Sequence, residues 1–193
     1  MLELIYKDFE NDIRNYTSEP LVYGYGNSKA NIMLIGEAPG KDEVKLGRPF
    51  TGKAGKQLDE FLIMTGLNRE LLYITNVVKF RPYILSEKGT KRNRPPSKKE
   101  IELCKNCLLR EIKAINPKWI ITLGNTALHA MMEDAANIGS VHGTIRMCNS
   151  RYVFALYHPA SVIYNRDLAE VYKRDLAVLH DILKADGMVI HYS

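Results

Sequence analysis

The sequence predicts an α/β fold, a three-layer α/β/α sandwich around a central, mostly parallel four-stranded sheet. The alternation of two kinds of segment predicts this fold, and the length and composition agree with it. Short apolar runs alternate along the chain with longer segments whose apolar residues recur at helical spacing. The chain has 193 residues, of which 46% are hydrophobic, so a single domain over residues 1–193 can bury one sizeable core. Neither an internal repeat nor a low-complexity segment divides the sequence.

The first half of the chain is predicted to alternate between helix and strand. Apolar residues recur at helical spacing over residues 2–16 and again over 53–65, where Gly66 supplies a stop signal. Residues 31–36 and 72–78 are short apolar runs, which are typical of buried strands. The predicted order in this half is therefore helix, strand, helix, strand.

The second half repeats the alternation after a long connection. Prolines and a glycine make residues 81–96 an irregular segment. Ser97 and Glu100 have the spacing of a capping box, so a helix begins there and ends before Asn116 and Pro117. The same criteria predict the remaining elements: strands over 118–124 and 151–156, helices over 125–132 and 167–185, and a hairpin over 138–149.

Residues that could bind a ligand or take part in a reaction follow each predicted strand. Ligands of parallel α/β sheets bind beyond the carboxyl ends of the strands, so four segments predict one common site. They are residues 36–40, 76–79, 124–125 and 157–160. The first has two glycines and a proline, which form a tight turn whose backbone N–H groups can approach a ligand.

Glu37 and Asn76 are the polar candidates of the first two segments. Glu37 is the only ionisable group in its turn, and a carboxylate there can orient or deprotonate water. It could instead cap the following segment. Asn76 lies in an apolar strand, where its amide can donate and accept at the edge of a nucleobase. A structural hydrogen bond to a neighbouring loop is the alternative.

Phe50 and His158 are the candidate site residues with ring side chains. Phe50 lies in a stretch broken by proline and glycine, where its ring could stack on a planar base or plug the edge of the sheet. His158 is held at a strand exit by Pro159. A lone histidine is often only a packed ring, but its position at the same sheet edge as Glu37 and Asn76 favours a functional role.

Positive charge is concentrated in one segment. Residues 79–99 contain eight basic residues and one acid, a balance of +7, whereas the whole chain is +5 and the remainder is therefore about −2. This is the pattern of a contact with a phosphate backbone, although a solvated loop would show it too. The eight residues are Lys79, Arg81, Lys88, Lys91, Arg92, Arg94, Lys98 and Lys99.

Composition also restricts the compartment. Three cysteines exclude a disulfide scaffold and are compatible with a reducing cytoplasm. No run approaches eighteen apolar residues, and the amino terminus lacks the apolar block of a signal peptide. We therefore expect a cytoplasmic protein with no membrane partner.

Taken in order, these segments resemble the uracil-DNA glycosylase superfamily, and most closely its family 4. The resemblance covers about residues 24–182. It is based on GEAPGKDE at 36–43, GRPFTG at 47–52, ITNVVK at 74–79, NRPP at 93–96, TLG at 122–124 and HPA at 158–160.

The resemblance implies a role for each candidate residue. Glu37 and His158 would be catalytic, the first holding the attacking water and the second donating to O2 of the leaving base. The uracil would be bound by Ala38, Gly40, Phe50 and Asn76, with Phe50 stacking on its face. DNA contacts would come from Lys79, Arg81, Lys91, Arg92, Arg94 and Ser161.

The activity implied is hydrolysis of the N-glycosidic bond of uracil in DNA, as in base-excision repair. The uracil anion is a tolerable leaving group, so preorganised donors and a positioned carboxylate suffice and no metal or organic cofactor is required. The implied partner is uracil-containing DNA, and a monomer is expected. Two alternatives stay open: a DNA-binding module without catalysis, and a glycosylase that prefers another deaminated base such as hypoxanthine.

The cysteines depart from the family 4 pattern. That family typically holds a [4Fe–4S] cluster with four cysteines. Only one of the four positions has a cysteine in this sequence, Cys104, and Phe80 occupies one of the other positions. A cubane needs four ligands, so we predict that the cluster is absent. Cys104, Cys107 and Cys148 would still need a fourth ligand to hold any metal, and we treat them as packing residues.

Overall fold

The centre of the computed structural model is a six-stranded sheet, and the structure describes residues 1–165 and 167–188. The strands are β1 (Tyr25–Gly26), β2 (Ile32–Gly36), β3 (Leu72–Asn76), β4 (Tyr83–Leu85), β5 (Lys91–Asn93), β6 (Trp119–Leu123), β7 (Ile145–Cys148) and β8 (Arg151–Leu156). The large sheet has the order β1-β3-β2-β6-β8-β7, and β4 pairs with β5 separately.

The four predicted strands form the parallel centre of this sheet. β3, β2, β6 and β8 run parallel to one another, whereas β1 and β7 are antiparallel edges. The α/β/α prediction is confirmed, but the sheet has six strands and not four. The edges escaped prediction because β1 has only two residues, both exposed, and β7 is exposed along most of its length. The hairpin expected within 138–149 is instead formed by β7 with β8.

Helices cover both faces of the sheet. They are α1 (Leu2–Ile13), α2 (Lys41–Leu46), α3 (Lys53–Thr65), α4 (Lys98–Ile115), α5 (Asn125–Met131), α6 (Ile138–Val141), α7 (Pro159–Tyr164) and α8 (Leu168–Ala185). Helices α1 and α4 pack together on one face, and α3 packs with α7 and α8 on the other. None of the helices within the described ranges is long and apolar enough to cross a membrane.

The two larger hydrophobic cores follow the alternation of the buried strands. Along β2, Met33 and Ile35 join the core beneath α1 and α4, and Ile32 and Leu34 join the core beneath α3 and α8. All four side chains are buried, as expected for a strand covered on both faces. β2 is therefore packed on both faces of the sheet.

The segment 81–96 is more regular than predicted. β4 and β5 form an antiparallel hairpin in which Tyr83 pairs with Asn93 and Leu85 with Lys91. The prolines did not prevent pairing because Pro82 precedes the paired residues and the other two follow them. The prediction of an irregular connection was therefore wrong for residues 83–93.

A buried ion pair joins the sheet to α4. The Lys79 ammonium donates to the Glu111 carboxylate, to Thr75 Oγ1 at 2.7 Å and to the carbonyl oxygen of Asn76 at 2.6 Å. Both charged side chains are fully buried. The prediction that Lys79 contacts DNA was wrong, because its charge is neutralised inside the protein by a residue 32 positions away.

We predict that Lys79→Met destabilises the fold by about 3–5 kcal/mol, since it leaves the Glu111 carboxylate buried without its cation. The measurement is the free energy of unfolding in urea. The control is Lys56→Met, which alters an exposed lysine of α3 and should change the value by less than about 0.5 kcal/mol. Equal effects of the two variants would contradict a structural role for the pair.

Candidate active site

A cleft of about 570 Å³ opens at the carboxyl ends of the parallel strands. Residues at or directly after the carboxyl ends of β2, β3, β6 and β8 all line it, as the strand-end rule predicted. Its walls include Glu37, Phe50, Asn76 and His158. Four side chains that are far apart in sequence therefore surround one cavity.

Glu37 is fixed through both its main chain and its carboxylate. Its carbonyl oxygen accepts from the Val78 amide at 3.0 Å, which extends the pairing of β2 with β3 beyond the strand ends. Its Oε2 accepts from Thr126 Oγ1 at 2.5 Å. Glu37 does not cap α2, since that helix has Gly40 at its N-cap, with Glu43 accepting from the Gly40 amide at 3.1 Å.

Asn76 and Phe50 meet over Gly36. A Cβ atom at position 36 would clash with Asn76 Oδ1 and would lie 2.6 Å from Cζ of Phe50, so only glycine permits this approach. Asn76 is almost fully buried, and its main-chain carbonyl is held by Lys79. Its side chain lines the cleft beside the Phe50 ring.

Phe50 is held in a strained conformation. Its φ of 53° lies in the left-handed region, which is costly for a residue with a side chain by about 1–3 kcal/mol. Arg69 Nη2 donates to the Phe50 carbonyl oxygen at 2.8 Å, and Arg69 is in turn paired with Asp59 at 2.5 Å. The Phe50 ring stacks near the His158 imidazole, with centroids 5.8 Å apart. The ring therefore both packs in the wall and faces the cavity.

His158 is a neutral ring with a defined tautomer. It is the N-cap of α7, where its Nδ1 accepts from the Ala160 amide at 3.2 Å. Burial lowers the pKa of His158 to about 4. Because Nδ1 accepts a hydrogen bond, the single ring proton is on Nε2. Gly124, at φ 88°, leaves room for the histidine, since a Cβ there would lie 3.2 Å from that of His158.

Three other predicted residues also lie at the cleft. Ala38, Gly40 and Ser161 line it. The Gly40 amide already donates to Glu43, so the predicted use of this N–H for a base does not agree with the structure. The Ser161 amide donates to the His158 carbonyl oxygen at 2.8 Å, which closes the first turn of α7.

The basic segment divides into internal and surface residues. Arg81 is almost buried, with Nε donating to Asn93 Oδ1 at 2.6 Å and Nη2 to the Lys91 carbonyl oxygen at 3.0 Å. It clamps the β4–β5 hairpin, so its predicted DNA contact was wrong. Lys91 is exposed but pairs with Glu19, and Arg92 is exposed on the same hairpin.

Arg94 lies at the rim of the cleft. Its guanidinium makes two hydrogen bonds to the Glu100 carboxylate, at 2.7 and 2.8 Å. This pairing lowers the pKa of Glu100 to about 2. Glu100 also completes the predicted capping box of α4 with Ser97. The Glu100 carboxylate therefore orients the Arg94 guanidinium, while part of the Arg94 side chain stays exposed at the cleft.

The residues at the position of the family 4 cluster do not fit a four-thiolate group. Phe80 is buried there, and its ring lies 6.0 Å from that of Tyr16. Burial raises the pKa of the Cys104 thiol to about 11 and that of Cys107 to about 12, as expected for thiols packed in an apolar core. Within residues 1–165 and 167–188, no three His, Cys, Asp or Glu side chains are grouped to hold a metal ion.

Sequence reasoning missed three residues that support the site. Glu43 could have been found, since Gly40 and Glu43 have the spacing of a capping box. Thr126 and Arg69 carried no local signal, because each acts on a partner that is 19 or more positions away. Only the folded chain brings these pairs together.

Comparison with known proteins identifies the family to which this chain belongs. Residues 23–180 match the model of the uracil DNA glycosylase superfamily. A type-4 uracil-DNA glycosylase of Archaeoglobus fulgidus is 39% identical over 174 residues, which cover 86% of this chain and 83% of the relative. One from Thermotoga maritima is 36% identical over 171 residues, 86% and 85% of the two chains. The chain therefore belongs to the uracil-DNA glycosylase superfamily and is similar to its type-4 members.

Proposed function

We propose that this protein is a monofunctional uracil-DNA glycosylase that hydrolyses the N-glycosidic bond of uracil in DNA. The observation that carries the proposal is the arrangement of Glu37, Asn76 and His158 around one cleft, with the Phe50 ring in its wall. The names of the type-4 relatives support the same activity. DNA containing uracil is thus the proposed substrate.

The proposed reaction uses a water held by Glu37. As the bond between C1′ and N1 breaks, the electron pair leaves with the base, and the water oxygen forms the new bond to C1′. The proton that the water loses goes to the Glu37 carboxylate. Thr126 already donates to Oε2, so Oε1 is the less engaged oxygen and the one proposed to hold the water.

The leaving base is stabilised by a neutral histidine. Negative charge develops at O2 of uracil, and the Nε2–H of His158 is proposed to donate to it. A donor already aligned by α7 needs no reorganisation as the charge appears. Asn76 is proposed to read the uracil edge through its amide, with Phe50 stacking on the ring.

The DNA contacts are proposed to come from the surface part of the basic segment. Lys91, Arg92 and Arg94 remain exposed or partly exposed near the cleft, and Ser161 lies at its rim. The uracil must leave the duplex or start in a single strand, which costs a few kcal/mol. We also propose a monomer that acts in the cytoplasm, where a reducing environment suits the buried thiols of Cys104 and Cys107.

We predict that Glu37→Ala lowers the single-turnover rate of uracil release by roughly 10²–10⁴-fold, the usual loss when a general base is removed. The assay follows free uracil from a uracil-containing oligonucleotide. Glu102→Ala removes an exposed carboxylate of α4 and should leave the rate unchanged.

The same assay includes oligonucleotides with hypoxanthine or xanthine, each single-stranded and mispaired. Release of uracil alone supports the proposal. A wild type that binds the oligonucleotides and releases no base would favour the binding module, and faster release of hypoxanthine would favour the other glycosylase.

We predict that His158 stays neutral from about pH 5.5 to about pH 8, with its proton on Nε2. Its pKa in the fold, about 4, is below the ordinary 6.5, so the unfolded chain binds the proton first as the pH falls. Wild type should therefore lose roughly 2 kcal/mol more stability than His158→Gln between about pH 7 and pH 5. Imidazole ¹⁵N shifts check the tautomer, and an imidazolium at pH 6 would refute it.

We predict that the purified protein is colourless and contains no iron, because a buried phenylalanine stands where a thiolate ligand would be needed. The measurements are iron content and absorbance near ~400 nm, where iron–sulfur charge transfer absorbs. A brown protein with four iron atoms per chain would refute the prediction, whatever the glycosylase assay shows.

A further inference from the structure

We infer that Thr126 is a positioning residue that fixes the Glu37 carboxylate and directs Oε1 toward the attacking water. The inference rests on the proposed function. It concerns a residue outside the expected catalytic pair, one that reaches Glu37 across 89 positions of sequence. Thr126 itself is not proposed to touch the substrate.

The geometry of the contact is specific. Thr126 is the second residue of α5, directly after the turn at Gly124 that ends β6. Its Oγ1 donates to Oε2 of Glu37 at 2.5 Å. An ionised carboxylate can only accept, so the hydroxyl must be the donor, and hydrogen bonds of this charge-assisted kind are short and strong.

The hydrogen bond has a consequence for the direction of attack. With Oε2 engaged, rotation of the carboxylate is restricted, and Oε1 keeps both of its lone-pair sites for water. Threonine suits this task because its β-branch restricts the side-chain torsion that aims Oγ1. Water is then held in one position relative to C1′, and small displacements of a reacting group can cost large factors in rate.

The contact is poorly explained as a stabiliser of the fold. The main chain of Glu37 is already fixed by its pairing with β3, so its carboxylate is not needed to hold the turn. Thr126 is partly exposed, so water could satisfy its hydroxyl if the carboxylate were absent. The same β6–α5 turn places Gly124 against His158, and it therefore supports both proposed catalytic groups.

The test is the rate of uracil release by Thr126→Val, which keeps the shape of the side chain and removes the donor. We expect a fall in the single-turnover rate of roughly 10- to 100-fold, with KM changed less than about twofold. Thr126→Ser keeps the donor and should recover most of the rate. Thr65→Val is the matched control, since Thr65 lies at the far end of α3 and its hydroxyl donates to the carbonyl oxygens of Phe61 and Leu62 in that helix.

A double-mutant cycle separates positioning from an indirect effect. In a Glu37→Ala background, Thr126→Val should have no further effect, because the group through which it acts is gone. If Thr126→Val lowers the rate of uracil release by the same factor in both backgrounds, the inference is overturned. It is also overturned if the wild type is active and Thr126→Val releases uracil at the same rate. A wild type that releases no uracil would instead overturn the proposed function, and this inference with it. Unfolding curves establish that each variant is folded.

Discussion

The buried ion pair of Lys79 and Glu111 is the constraint on which the rest of the structure depends. Two charges can stay in a protein interior only if further hydrogen bonds satisfy them. Lys79 meets this condition through Thr75 and the Asn76 carbonyl, and Glu111 through the Tyr6 hydroxyl at 2.7 Å. The pair therefore ties α1, β3 and α4 together at the strand end where the cleft begins.

The end of β3 positions the side chains that form one wall of the cleft. Lys79 donates to the Asn76 carbonyl oxygen at the end of β3, and Gly36, which has no side chain, lets Asn76 and Phe50 approach. Phe50 in turn keeps its left-handed backbone because Arg69 binds its carbonyl. Strain of this kind persists only where the surroundings over-determine it, as they do at this wall.

Local sequence patterns predicted the elements that are determined by interactions between residues close together in sequence. The four parallel strands and the capping box of α4 follow from periodicity and spacing, and the strand-end rule brought Glu37, Asn76 and His158 to one cavity. The burial of Lys79 was missed because a lysine in a basic stretch looks solvated until its distant partner is known. Thr126 was missed for the same reason, since its partner lies 89 positions away.

The departure from the family 4 cysteine pattern can be understood through the same core. A cluster would tie the amino-terminal region to α4 by ligation, whereas here α1 packs directly on α4 and Phe80 lies in the core they share. Aromatic burial is non-directional, and it stabilises without the protonation or redox chemistry that thiolate ligands require. The ion pair supplies a directional link between the same layers, in addition to their packing.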